Sequence, residues 1–488
     1  MHRRQFLSAA LIGLTAKAGP RIAGGFVNES FPLGHRIRDH ARFRAASRTE
    51  KFPIVIVGGG VAGLSAAWRL NKRGFHDFVL LEMEPQAGGN SRWGENEISA
   101  FPWAAHYVPV PGPKTVLVRE LFEELGVLQN GVWDERRLCF APQERLFIHG
   151  RWQEGIEPEA ESTARDREDY RRFQDLVNQF RASGEFTIPM ELGAKPSQLD
   201  SLSMQDWLTQ NRFTSPYLDW YINYACRDDY GALARDTSAW AGIHYFASRE
   251  AEEKGPLTWP EGNGWVVRQL LRRLQAFVRV NSPVYSIARE GARLRVRTEQ
   301  ADYLAARVIF AAPTFLAPYL IDGAVRPDNF VYSPWLTANL VIEKPPADVA
   351  WDNVIYESPT LGYVDATHMS LKTFIDRSVW TFYWSLADRP PAEARTLLLE
   401  KDWTYWRDAI LHDLSRAHPD IASRVSRMDV MRIGHAMARP VPGFLESRRS
   451  FQNRGPVFYA NSDLAGFSIF EEAQYHGVTA ADRALQSL

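Results

Sequence analysis

Cysteine is almost absent. Cys139 and Cys226 are the only two in 488 residues, which excludes a disulfide framework and any cysteine-rich metal site. The pair reads as two unpaired thiols rather than one bridge. The histidines show no metal-ligand spacing such as His-Glu-x-x-His, so no metal is expected. Charge of one sign is missing too. The 57 Lys and Arg nearly cancel the 58 Asp and Glu, leaving a net charge of -1. No global field recruits nucleic acid or an anionic membrane. Long apolar runs are lacking: Phe6 to Ala16 is about half of the roughly 20 residues a spanning helix needs. No later segment qualifies as transmembrane, and there is no internal repeat.

What is present is ordinary in bulk and informative in detail. Apolar residues make up 45% of the chain and charged residues 24%, a globular composition. At roughly 150 residues per domain the length suggests two or three lobes. Sixteen Trp supply large core residues or line a deep pocket. The chain begins with Arg3-Arg4-Gln5-Phe6-Leu7, a short apolar run and Ala16-Lys17-Ala18. This is the form of a twin-arginine export signal. We expect residues 1–18 to be that signal and 19–52, with its basic stretch His35 to Arg48, to be a linker. The twin-arginine machinery is then a partner, and the periplasm the destination.

The segment from Pro53 to Trp93 carries the first chemistry. Ile54 to Val57 is a continuous apolar run, as befits a strand buried on both faces. Gly58, Gly60 and Gly63 follow as Gly-x-Gly-x-x-Gly, then a helix from Val61 ended by Gly74, then the apolar strand Phe78 to Leu81 and Glu82. The first glycine permits the tight turn, the second lets a pyrophosphate approach the backbone, and the third lets helix and strand pack. The helix N-terminus offers free N–H groups to phosphate. Glu82 falls about 20 residues on, where a carboxylate accepts from ribose hydroxyls. Strand, glycines, helix, strand and acid in register predict a dinucleotide site. Gly88 and Gly89 extend it, in a pattern that resembles FAD enzymes of the glutathione-reductase-like type.

Four further blocks, Leu257 to Leu274, Val278 to Glu290, Ala306 to Pro318 and Gly455 to Leu485, resemble the flavin-containing amine oxidase superfamily. That group includes monoamine and polyamine oxidases, protoporphyrinogen oxidase and phytoene-desaturase-like enzymes. The resemblance runs in order from Pro53 to Leu485, with its most specific motifs at the two ends. It implies an α/β fold in which a glutathione-reductase-like, Rossmann-type FAD-binding lobe is interleaved with an α+β substrate-binding lobe. The FAD lobe is expected from 53–135, 257–320 and 430–488, and the substrate lobe from 136–256 and 321–429. Helices are expected across Glu159 to Ser183 and in the segments beginning at Met204 and Ser215, roofing a pocket. Arg279 to Ile287 reads as one strand. By resemblance, Val284 lends its backbone to the adenine. Asp463 contacts the ribityl or phosphate region or else caps a helix, and the final helix aims its N-terminal amides at the flavin.

The resemblance also implies departures. Asn90 stands where the family commonly has arginine after the glycine pair; Arg92, two residues later, either supplies phosphate charge or lies on the surface. Many members carry a lysine on the strand after the Ala-Ala-Pro block. Here Thr337 or Asn339 takes that position, and Lys344 comes too late. The cysteine that links the flavin in monoamine oxidases is replaced by His435, so FAD is expected to be non-covalent. Of the two aromatic cage positions one becomes Ala436 and the other Phe470. His106 and Tyr107 match the segment passing the isoalloxazine, where they face substrate or are buried structurally. Asp228 and Asp229 bind a substrate ammonium or cap a helix, capping being the plainer reading.

The function implied is hydride transfer from a small amine or polyamine to flavin N5, with reoxidation by oxygen or another acceptor. An FAD-dependent desaturase or dehydrogenase of an isoprenoid-like substrate is the alternative, and a flavin-binding protein without turnover is a third. Twin-arginine export carries folded proteins, which suits a chain that must fold round FAD before leaving the cytoplasm.

Overall fold

A computed structural model of the chain describes residues 22–190, 197–249, 255–325, 328–370, 375–451 and 455–488. The export signal expected at 1–18 lies outside them. Among the described residues no helix is long and apolar enough to cross a membrane, and both cysteines are buried and free.

Thr49–Val57 is the central strand of a seven-stranded sheet. It runs parallel to Phe78–Leu81 on one side and to Asp302–Phe310 on the other. Val278–Arg279 extends the first edge in parallel. Arg293–Arg297 and Ser286–Glu290 continue the other edge antiparallel. Val457–Tyr459, from the far end of the chain, pairs in parallel with the second half of Asp302–Phe310. The unbroken apolar runs have a simple cause. Ile54, Ile56, Phe78, Leu80 and Ile309 face a core shared with the helices Val61–Lys72, Gly264–Leu274 and Phe470–Gln486. Val55, Val57, Val79, Leu81, Val308 and Phe310 face a second core on the opposite side. Both faces are therefore dry, as parallel strands require.

A second sheet has eight strands in the order Ala23–Phe26, Val425–Arg439, Val331–Glu343, Arg377–Trp384, Gly362–Asp365, Asp352–Ile355, Glu144–Ile148 and Arg151–Glu154. Trp403–Leu414 and Pro391–Glu400 pack one face through Trp406, Ile410 and Leu398. The helices Ala164–Ser183, Met204–Gln210, Pro216–Tyr230 and Ala239–Ala247 form a separate layer with its own core. Each starts on a Ser or Thr whose hydroxyl accepts a backbone N–H of the first turn: Thr163, Ser203, Ser215 and Ser238.

Three expectations about the elements change. The supposed linker is folded: Ala23–Phe26 is an edge strand of the second sheet, Phe31–Arg38 is a helix, and the nucleotide-sheet strand begins at Thr49. Residues 430–439, assigned above to the FAD lobe, belong to a strand of the second sheet that starts at Val425. The single strand expected over Arg279 to Ile287 is instead split between two short ones, Val278–Arg279 and Ser286–Glu290. Asn281 turns the chain at a φ of 50° and Pro283 has no N–H for a ladder.

Candidate active site

The glycine turn is built as its spacing predicts. Gly58 sits at a φ of 107°, and a Cβ there would lie 2.7 Å from the Ala312 nitrogen. A Cβ on Gly63 would strike the Gly58 carbonyl. Gly60 is the N-cap of Val61–Lys72 and has no side-chain cap, so the first N–H groups of that helix stay open to an anion. Gly89 lies against Gly60, its Cβ position 3.2 Å from the Gly60 Cα. Glu82, 8% exposed, accepts from the Gly59 N–H at 2.6 Å and the Glu84 N–H at 2.8 Å. Burial pushes its carboxyl up, and those two N–H donors oppose the shift. Each oxygen keeps a further lone pair for a ribose hydroxyl. Val284 is buried at the cleft wall, and its main-chain N–H and C=O have no protein partner among the described residues. This is the arrangement a base edge needs.

These groups line one cleft, together with Ser282, Asn461, Asp463 and His435. Asp463 is almost fully buried and accepts from the Thr314 N–H at 2.7 Å, the Thr314 hydroxyl at 2.5 Å and the Tyr332 hydroxyl at 2.7 Å. It ties the two sheets together at the cleft. It does not cap the final helix, whose N-cap is Ile469. Arg92 is not among the cleft-lining residues. Its Nε donates to the Gly89 carbonyl at 3.1 Å and its guanidinium pairs with Glu84 at 3.5 Å, so it braces the glycine pair instead of offering charge to phosphate. His435 stacks on Phe315 with centroids 4.3 Å apart. It faces the cofactor cleft and stands apart from His106 and Tyr107.

A smaller pocket of about 120 Å³ adjoins the cleft. Asn90, Ala105, Asn263, Ala436, Ile469 and Phe470 line both. Phe470 thus stands at the junction, backed by Phe122. His106 and Tyr107 do face this pocket. The His106 ring lies 5.0 Å from Tyr107 and 4.8 Å from Tyr383, centroid to centroid. Its Nδ1 is 3.2 Å from the Ala104 carbonyl and donates to it, which leaves Nε2 as the acceptor. Burial holds this imidazole neutral, down to about 4. The missing cage tyrosine at Ala436 is offset by other rings: Tyr224, Trp335 and Tyr383 complete the wall.

The pocket also holds carboxylates. Asp228 and Asp229 come from the last turn of Pro216–Tyr230, and Asp352 from its own strand. The capping reading fails, because that helix is capped by Ser215 and Gly231. Arg249 pairs with Asp229 at 3.7 Å. Burial, then the neighbouring Asp229, pushes Asp228 up to about 7. Burial, then Glu144 and Asp228, pushes Asp352 well up. Thr337 is a fully buried residue of the pocket wall, and its Oγ1 has no hydrogen-bond partner among the described residues. Asn339 is spent elsewhere, donating to the Pro102 carbonyl at 3.1 Å and accepting from Thr381 at 2.7 Å. Of the two candidates for the lysine position, Thr337 is the one in the pocket. Asp352, Trp335, Tyr224 and Tyr383 escaped the sequence reading. Only Tyr224 carried a signal, being four residues before Asp228 on one helix face.

A dinucleotide cleft beside an aromatic pocket is the arrangement of a flavin-dependent oxidoreductase. A family profile described as flavin containing amine oxidoreductase matches residues 61–485, and the chain belongs to that family. Putrescine oxidase, as a double mutant, superposes with a TM-score of 0.70 over 90% of this chain and 100% of its own at 17% identity. Cyclohexylamine oxidase from Brevibacterium oxydans IH-35A superposes with a TM-score of 0.68 over 89% and 99% at 14% identity. At such identities the likeness is one of fold. By sequence, 15-cis-phytoene desaturase of Narcissus pseudonarcissus is 35% identical over 103 residues, which are 21% of this chain and 17% of the desaturase. L-amino acid oxidase Lm29 of Lachesis muta is 34% identical over 118 residues, 22% of each. The chain thus spans about a fifth of the length of these two relatives. The protein is a member of the flavin containing amine oxidoreductase family with the fold of the amine oxidases.

Proposed function

We propose that the protein oxidises a small amine, with FAD held non-covalently in the cleft and oxygen as the acceptor. One observation carries this: an aromatic pocket beside the cofactor cleft is lined by four carboxyl side chains, Asp228, Asp229, Asp352 and Glu471, against one cation, Arg249, which pairs with Asp229. An ammonium matches that charge, whereas an isoprenoid would strand the carboxylates against hydrocarbon. The desaturase reading is disfavoured on this ground.

Gly58, Gly60 and Gly63 with the following helix would hold the pyrophosphate, Glu82 the ribose and Val284 the adenine. Phe470, Asn90 and Ala105 would border the flavin ring. The flavin, when bound, supplies the hydride acceptor. The chain's own residues prepare the substrate. Asp228 attracts the ammonium and accepts its proton on a carboxylate oxygen, because an amine must be neutral to give up hydride. His106 Nε2 accepts an N–H of the bound amine and orients it. Tyr107, Tyr224, Tyr383 and Trp335 exclude water, which favours the neutral amine. The sequence at 1–18 supports export by the twin-arginine route to the periplasm.

The test begins with the purified yellow protein. Acid precipitation should release the flavin into the supernatant. Amines added anaerobically should bleach its absorbance, and air should restore it with formation of peroxide. If polyenes bleach the flavin and no amine does, this reading is overturned.

A further inference from the structure

Outside the inner pocket lies a second, larger cavity of about 440 Å³. The two share Pro109, Arg249 and Glu471 as wall residues, so they adjoin. Their charges are opposite. Apart from the shared Arg249 and Glu471, the inner pocket carries Asp228, Asp229 and Asp352, whereas the outer cavity carries Lys114, Arg119 and Arg181. Arg119 and Arg181 are held by neutral groups that orient them without cancelling their charge, whereas Arg249 pairs with Asp229. Arg119 donates to the Pro111 carbonyl at 2.9 Å and lies over the Trp133 ring at 5.4 Å. Arg181 donates to the carbonyls of Arg249 at 2.9 Å and Phe246 at 2.8 Å. Lys114 is exposed on the proline-rich turn that forms one wall. Between these cations the lining is apolar, with Val110, Phe186 and Ile188.

We propose that the substrate is an ω-amino acid: its ammonium enters the inner pocket among Asp228, Asp229 and Asp352, and its carboxylate stays in the outer cavity near Lys114, Arg119 and Arg181. This rests on the amine reading above and narrows it. A diamine or polyamine would set its second cation among like charges, which is repulsive. An α-amino acid carries both charges on one carbon and cannot place them in two compartments. An alkylamine leaves the outer cations without a counter-charge. The methylene chain between the two ends of an ω-amino acid suits the apolar lining. The unpartnered Thr337 hydroxyl in the inner pocket marks that compartment as built for a polar ligand group.

The experiment uses the flavin-loaded protein and four homologous series: ω-amino acids, alkylamines, diamines and α-amino acids. Anaerobic flavin reduction gives kcat/KM for each. The best ω-amino acid should exceed the alkylamine of equal length by about tenfold, chiefly through KM, and the gap should shrink with salt. In Lys114→Glu that advantage should fall about threefold or more, with alkylamine kinetics and flavin absorbance unchanged. Arg119→Gln should act in the same direction. Fatty carboxylates lacking the amine should perturb the flavin spectrum of the wild type and do so more weakly in Lys114→Glu. If alkylamines or diamines match the ω-amino acids at every length, the proposal is overturned while the amine reading stands. If no amine of any series bleaches the flavin, both are overturned.

Discussion

Asp228 shows what a single buried carboxyl contributes and costs. Its ordinary value is raised to about 7 by desolvation and by Asp229. A carboxyl whose folded value exceeds its unfolded one contributes stability that is fully present below about pH 4 and lost as pH rises through the folded value. The empty protein should therefore lose stability between about pH 4 and 7, on the order of a few kcal/mol for a group this buried. Asp228→Asn removes that loss. At pH 8 it should melt at a higher temperature than the wild type, while KM for the amine rises about tenfold or more. In the wild type KM should fall as pH rises through 7, as the carboxylate forms. A variant that melts lower and binds amine normally would place Asp228 outside the site. Thr337→Val probes a second residue. Its hydroxyl has no partner, so a near-isosteric valine should leave the melting temperature unchanged or raise it by about 1 kcal/mol equivalent. Flavin reduction should nevertheless slow about tenfold, as for loss of one polar contact to a reacting group. Unchanged reduction would leave Thr337 a wall residue. At this scale the sequence was legible where function is local. Gly58, Gly60, Gly63 and Glu82 lie within one strand–helix–strand unit, so spacing alone places them. Asp352 and Tyr383 reach the pocket from strands far apart in the chain, and no spacing announces that meeting.

Among the elements, the final helix, Phe470–Gln486, is where cofactor cleft and core meet. Its first residue stands between the two cavities, and its middle packs on the helix that follows the glycine turn. At that crossing a Cβ on Gly477 would lie 2.1 Å from the Ala62 carbonyl oxygen. In an exposed helix Gly→Ala stabilises by roughly 1 kcal/mol. Here the sign reverses, because backbone must move to admit the methyl. Gly477→Ala should cost about 1–3 kcal/mol and loosen flavin retention, read by thermal melting and by flavin lost on dialysis. A variant that melts higher would show that the crossing has slack. The helix itself was expected from the family resemblance, and the strands buried on both faces from their unbroken apolar runs. Ala23–Phe26 was not. A four-residue segment with two glycines has no strand signal of its own; its pairing is dictated by Val425–Arg439, four hundred residues on. For the same reason residues 430–439 were placed in the FAD lobe although they pair in the second sheet: nothing local in a long apolar-polar strand says which neighbour it will join.

The whole molecule is assembled by interleaving. One sheet gathers strands from Thr49 to Tyr459, the other from Ala23 to Arg439, and the cofactor cleft is lined from Ile37 to Ala473. A ligand held by so many separated segments is linked to folding, and saturating it at a hundred times its dissociation constant adds about 2.7 kcal/mol. This connects the glycine turn to the proposed export route, which carries folded protein. Gly58→Ala places a Cβ against the Ala311–Ala312 backbone at a φ that disfavours any side chain, so it should lose flavin and fold poorly. Replacement of Arg3 and Arg4 by lysine should leave folding intact and remove the address. Cell fractionation distinguishes the two causes. Both variants should stay in the cytoplasm, the arginine variant as yellow, protease-resistant protein and the Gly58→Ala variant as colourless, protease-sensitive protein. Lys114→Glu, which alters an exposed side chain, should be exported as the wild type is. Periplasmic, colourless Gly58→Ala protein would show that export does not wait for the cofactor.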